Sequence, residues 1–198
     1  MRFVLASNNK KKLKELQDIL SALGLEVISQ REAGLDLDVE ETGVTFAENA
    51  WLKASAACQA SGLPAISDDS GLVVDALDGA PGVWSARYGG EGLDDIQRYE
   101  LLLRNMDGRE NRSAKFVSSI VCVFPNGEFI TAEGDCLGEI LHAPQGVGGF
   151  GYDPVFYVPE LGKSMAEITA EEKNAISHRG NALRNFLPAL ENYLKRQN

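Results

Sequence analysis

The chain of 198 residues has little of the two side chains that build most zinc and redox sites: three cysteines and two histidines. Cys58, Cys122 and Cys136 are odd in number, far apart and without CxxC spacing. A disulfide framework or zinc site is therefore not expected, and buried thiols in a reducing compartment are. His142 reads as a surface residue, and no Ser/His/Asp order accompanies the histidines, so a nucleophilic triad fits poorly. No apolar run is long enough to span a bilayer. The opening Met1-Arg2-Phe3-Val4-Leu5-Ala6 stops at Ser7-Asn8-Asn9-Lys10, too short for a signal peptide's apolar region, so the expected location is the cytoplasm. Lysine and arginine are outnumbered 19 to 29 by aspartate and glutamate. The resulting net charge of −10 disfavours nonspecific nucleic-acid binding, which rests on neutralising phosphates. Internal repeats, low-complexity tracts and the G-x-x-x-x-G-K-[ST] phosphate loop are also absent.

What is present suits a soluble α/β domain, either one body or two closely packed lobes. Phe3-Val4-Leu5 reads as a strand, followed by a helix with Leu13, Leu16, Leu20 and Leu23 on one face, closing at Gly24. Leu25 to Ile28 is a second strand, and an acidic loop runs from Asp36 to Gly43. Thr45-Phe46-Ala47-Glu48 has the capping-box form and opens a helix to about Ala60. Pro64 to Ser67 and Leu72 to Val74 are expected as two strands around an acidic turn, and Ile96 to Met106 as a helix. Phe116 to Phe124 is a strong β run, Pro125-Asn126-Gly127 a hairpin signal before Phe129 to Thr131, and Glu139 to Leu141 a further short strand. A second capping box, Thr169 to Glu172, opens a helix to about Ser177, and a last helix carries Leu183, Leu187, Leu190 and Leu194.

Five segments could carry chemistry. Ile66-Ser67-Asp68-Asp69-Ser70-Gly71-Leu72 sets two carboxylates side by side, which repel unless a cation or proton relieves them. Adjacent side chains of an extended segment face opposite ways, so one Asp enters a site while the other braces the backbone. Lys10, Lys11, Lys12 and Lys14 crowd the first turn of a helix, where its partial positive charge disfavours cations. A solvated lysine run explains them as well as a bound anion does, and the donors of Ser7-Asn8-Asn9 tip the balance toward a phosphate. Glu40-Glu41 could complete an oxygen donor set for Mg²⁺, although on their own an exposed loop explains them better. The glycine-rich stretch ending in Phe150-Gly151-Tyr152-Asp153 would admit a planar base, or simply turn tightly over aromatic packing. Lys173, His178 and Arg179 follow, and Arg179 offers donors suited to phosphate or a keto oxygen.

In this order, the segments resemble the noncanonical purine nucleoside triphosphate pyrophosphatases, the inosine/xanthosine triphosphatase family. The resemblance rests on Ser7-x-Asn9-x-x-Lys12, Glu40-Glu41-Thr42-Gly43-x-Thr45-Phe46-x-Glu48-Asn49-Ala50 and Ser67-Asp68-Asp69-Ser70-Gly71-Leu72. It continues through Gly79-Ala80-Pro81-Gly82-x-x-Ser85-Ala86-Arg87-Tyr88, Gly149-Phe150-Gly151-Tyr152-Asp153-Pro154 and Lys173-x-x-x-Ser177-His178-Arg179-Gly180. Asn8 and Lys11 depart from a first motif that often has glycine there. The resemblance implies an elongated two-lobed mixed sheet with flanking helices and a central active-site cleft, a homodimer, and Mg²⁺-dependent hydrolysis of ITP, dITP and XTP to the monophosphate and pyrophosphate. By position it implies Asp69 as general base near the metal, and Glu40 or Glu41 as a further metal-binding carboxylate. Ser7, Asn8, Asn9, Lys10, Lys11 and Lys12 would hold the triphosphate, with Lys53 as a further phosphate contact. Ser70, Phe150, Gly151, Tyr152, Asp153, Lys173, His178 and Arg179 fall at substrate-binding positions. No nucleic-acid or membrane partner is expected. A nucleotide-sensing module without turnover is the alternative, and a pyrophosphatase of modified pyrimidines a third reading.

Overall fold

In the computed structural model, which describes residues 2–7, 14, 17, 20–21 and 24–197, the first apolar run forms strand β1 (Arg2–Leu5). β2 (Glu26–Ser29) lies parallel to it, with Phe3 opposite Val27. On its other side β1 pairs in parallel with β3 (Ala65–Val74), Val4 opposite Ala65. Between β2 and β3 runs helix α1 (Phe46–Ser61). Its capping box forms as expected: Thr45 Oγ1 accepts the Glu48 N–H, and the Glu48 carboxylate accepts the Thr45 N–H. The helix that precedes β2 holds Leu20 fully buried, whereas Leu13, Leu16 and Leu23 lie outside the described residues.

The second half supplies α2 (Asp95–Asn105), β4 (Ser113–Val123), β5 (Phe129–Ile140), β6 (Phe156–Val158) and β7 (Lys163–Ser164). Helices α3 (Ala170–Ile176) and α4 (His178–Gln197) close the chain. The strands form one mixed sheet in the order β2-β1-β3-β4-β5-β6-β7, with β5, β6 and β7 antiparallel. The mixed α/β class is as expected. Among the described residues, no helix is long and apolar enough to cross a membrane.

Two expectations are corrected. There is no turn at Asp68-Asp69-Ser70-Gly71: β3 runs unbroken from Ala65 to Val74, and both carboxylates sit buried within it. Partners from α1 and the acidic loop make that burial tolerable, as described below. Phe129 to Thr131 and Glu139 to Leu141 are not separate strands either, since β5 spans Phe129–Ile140. Within it, Gly134 and Gly138 mark places where other backbone comes close.

The chain divides into two compact units. The first comprises Met1–Asp69, Ser119–Glu133 and Leu183–Asn198, and the second Ser70–Ser118 and Gly134–Ala182. In the first unit, Ala50, Ala54, Ala57 and Cys58 of α1 pack with Val4, Ala65, Val121 and Val123. Small side chains on α1 let the helix approach the sheet closely. The core of the second unit is built from larger side chains, among them Leu72, Leu102, Met106, Phe116, Tyr152, Phe156 and Met165.

All three cysteines are buried free thiols. Burial pushes each above its ordinary value of 9.0, Cys136 to about 11 with help from the Glu160 and Asp135 charges. The three thiols should therefore resist Ellman's reagent in the native protein at about pH 8 and react together on unfolding in guanidinium chloride. A folded thiol that holds its proton longer than an unfolded one contributes stability below pH 9.0, and that contribution is lost as the pH rises toward about 11. Thermal melts across that range should show the decline.

Candidate active site

In the first unit, Asp69 is reached from two directions by one helix. Asn49 and Lys53, one turn apart on α1, point the same way. Lys53 Nζ lies 3.3 Å from Asp69 Oδ1 and 2.6 Å from Glu41 Oε1, and Asn49 Nδ2 lies 3.4 Å from Asp69 Oδ2. Burial alone would lower the Lys53 pKa, but the carboxylates of Asp69, Glu41 and Asp68 more than offset it, holding its ammonium above the usual lysine range. Lys53 thus stays charged. Glu40 is exposed on the same loop, while Glu41 is half-buried at the ammonium. Ser7 follows Ala6, whose N–H donates to Ile66 O at 2.8 Å, so the residue leaving β1 sits beside the strand that carries Asp69. Asn8, Asn9, Lys10, Lys11 and Lys12 lie outside the described residues.

In the second unit, the glycine-aromatic loop is pinned by two carboxylates. Asp153 Oδ2 accepts the Phe150 N–H at 2.9 Å and pairs with Lys173 Nζ at 2.5 Å, and that ammonium stands 4.8 Å from the centre of the Phe150 ring. Asp95, in the first turn of α2, accepts the Gly151 N–H at 2.8 Å. Tyr152 is buried and donates its hydroxyl to Ser85 O at 2.8 Å, and burial raises the pKa of its phenol. Ser85 Oγ in turn accepts the Leu72 N–H of β3 at 2.8 Å. The Tyr152 side chain therefore braces the loop, while Phe150 remains 41% exposed and offers a ring for stacking. Ser70 is half-buried on β3.

Ser177 ends α3 in an extended conformation, and its Oγ accepts the Gly180 N–H at 3.1 Å, so one residue closes a helix and starts the next. That junction places His178 and Arg179 in the first turn of α4. The His178 ring stacks on Phe116 with centroids 4.9 Å apart, and Arg179 is buried.

Residues 3–189 match the Ham1 family. The chain belongs to the Ham1 family. Among its relatives, a dITP/XTP pyrophosphatase of Desulforamulus reducens is 50% identical over 192 residues, covering 96% of each chain. One of Pectobacterium atrosepticum is 50% identical over 195 residues, covering 96% of this chain and 98% of its own. A solved HAM1 protein structure from Coxiella burnetii is similar with a TM-score of 0.90 at 43% identity, covering 99% of both chains.

The donor set of this Ham1 chain fits a hard divalent cation. Glu41 and Asp69 converge on one ammonium, which marks a place where positive charge is accepted, and both offer only oxygen. Among the described residues no group of three or more His, Cys, Asp or Glu forms a closed metal site. A cation held here would draw its other ligands from water and phosphate, as Mg²⁺ does. Three residues that sequence reasoning left without a role enter the geometry: Asn49, Asp95 and Ser85. Asn49 and Ser85 stand inside the motifs that carry the resemblance, and as polar residues there they could have been singled out. Asp95 gave no such signal, because its partner lies 56 positions away.

Proposed function

We propose that this Ham1 protein hydrolyses noncanonical purine nucleoside triphosphates, of the dITP and XTP kind, to the monophosphate and pyrophosphate with Mg²⁺ as cofactor. The observation that carries this reading is the Glu41–Lys53–Asp69 arrangement, a charged lysine holding two carboxylates on a chain whose relatives are dITP/XTP pyrophosphatases. Asp69 takes a proton from water as the water oxygen bonds to the α-phosphorus. The bond from that phosphorus to the bridging oxygen breaks, and pyrophosphate leaves with the electron pair. Glu41 and Asp69 are the residues that would hold Mg²⁺, whose chemistry there is to draw charge off the phosphate oxygens. Glu41 is preferred over Glu40 because it is the one joined to Lys53. Lys53 adds fixed positive charge beside the reacting phosphate. Ser7 through Lys12 are assigned the triphosphate on their residue types.

The purine base is assigned, on residue types, to the glycine-aromatic loop and the residues bonded to it. Phe150 stacks, with Gly151, Asp153 and Lys173 at its edge, Ser70 adds a hydroxyl contact, and Tyr152 acts by bracing the loop. His178 and Arg179 supply donors that a 6-keto purine accepts and a 6-amino purine cannot, a mismatch that a polar site rejects strongly. We further assign the protein to the cytoplasm as a homodimer. The reading is tested with ITP, XTP, dITP, GTP, ATP and pyrimidine triphosphates, each with Mg²⁺. Pyrophosphate should appear from ITP, dITP and XTP far faster than from ATP. Orthophosphate as the sole primary product would refute the reaction, and tight ITP binding without turnover would make the protein a nucleotide sensor.

A further inference from the structure

Asn49 is wholly buried, yet it is a polar residue in the first turn of a helix whose capping is complete without it. Its side-chain amide touches two different segments. Oδ1 accepts the N–H of Gly43 at 2.8 Å, and Nδ2 faces Asp69 Oδ2 at 3.4 Å. A backbone N–H can only donate and an ionised carboxylate can only accept, so these neighbours decide which way the amide points. Aspartate would put an acceptor against an acceptor, and leucine would satisfy neither side. Gly43 lies two residues beyond Glu41 in the acidic loop, and one turn further along α1 Lys53 joins the same two segments through Glu41 and Asp69. The approach at Gly43 leaves no room for adjustment: a Cβ there would meet Asn49 Oδ1 and Glu48 Cβ, each at 2.7 Å.

We infer that Asn49 is a positioning residue, which sets the acidic loop that carries Glu41 against Asp69 and orients the Asp69 carboxylate without taking its proton. The inference rests on the reading of Asp69 as base. The contact to Asp69 is long, so it orients the oxygen while leaving it able to accept from water.

Asn49→Asp is the decisive variant, because it keeps the size of the side chain and an acceptor for the Gly43 N–H, and replaces the N–H that faces Asp69 with a charged acceptor. With ITP and Mg²⁺ its kcat should fall about 100-fold, the scale of a misplaced reacting group. Its Kd for an α,β-imido analogue of ITP should change less than about threefold. The added buried carboxylate lowers the melting temperature, so both measurements are made at a temperature where the variant is folded. Independently of activity, the Gly43 amide of the unmodified, metal-free protein should exchange its hydrogen far more slowly than a free loop amide. A fall in kcat below tenfold, or one matched by an equal loss of analogue binding, would overturn the inference. So would a Gly43 amide that exchanges at the rate of an open loop, and that measurement decides alone if Asn49→Asp does not fold. Failure of the unmodified protein to hydrolyse ITP would instead strike the functional reading, leaving the exchange result to stand by itself.

Discussion

Asp69→Asn should lower ITP hydrolysis by about 10³-fold or more, while an α,β-imido analogue binds within about fivefold of its original affinity. Asparagine fills the same space on β3, so the strand and its neighbours need not move. What it lacks is the negative charge and the basic oxygen. Lys53 would keep Glu41 at 2.6 Å as its partner, so no cation is stranded in the interior and the melting temperature should change little. Turnover at saturating ITP and calorimetric titration of the analogue separate the two effects. More than about a tenth of the original turnover in Asp69→Asn would move the role of base to another group, with Glu41 the first to examine.

The second large effect concerns stability. Gly134 lies in β5 where α4 begins, and a Cβ there would meet the backbone of α4 at Asn181 C and His178 O, each at 2.6 Å, as well as Ala182 N. These are main-chain atoms of a helix, which cannot swing aside as a side chain can. Nearby, Asn181 Nδ2 donates to Asp135 O at 2.6 Å and fixes the helix to the strand. Gly134→Ala should therefore destabilise the protein by at least about 2 kcal/mol, as overpacking of a close contact does. For a chain of this length that lowers the melting temperature by roughly 4–8 °C. Because the displaced turn carries His178 and Arg179, the preference for ITP over ATP should fall as well, by more than total activity at a temperature where the variant is folded. An unchanged melting temperature in a thermal scan would show that β5 and α4 are not in such close contact.

Much of the fold could be read because its signals are local. Both threonine capping boxes, at Thr45 and Thr169, need only four consecutive residues, and both form where the pattern puts them. The hairpin at Pro125-Asn126-Gly127 is local in the same way, with the Gly127 N–H donating to Phe124 O. The unbroken course of β3 was not legible. Asp-Asp-Ser-Gly has the composition of a turn, and the ammonium of Lys53 and the amide of Asn49, brought from 16 and 20 positions away, help to make it tolerable as buried strand. The length of β5 was hidden likewise, since the backbone that packs against Gly134 and Gly138 comes from segments distant in sequence.

The candidate site divides along the same line. Residue types foretold an acidic pair, and geometry distinguishes its members, because Asp69 is the one on which Lys53 and Asn49 converge. Of the two glutamates, Glu41 meets Lys53, a choice that depends on the path of a loop without regular structure. Phe150 and Lys173 were each expected as substrate contacts, but the link between them through Asp153, 20 positions before Lys173, needed the fold. The bracing role of Tyr152 is of the same kind, for a tyrosine in a glycine-rich loop looks like a ligand contact until its hydroxyl is found on Ser85.

The central claim is that water attacks the α-phosphorus with Asp69 as its base. Hydrolysis of ITP in water enriched in ¹⁸O, followed by mass spectrometry of both products, tests it most directly. The account predicts one labelled oxygen in the nucleoside monophosphate and none in the pyrophosphate. Label in the pyrophosphate, or release of orthophosphate with the diphosphate, would place the attack at a different phosphorus and contradict it.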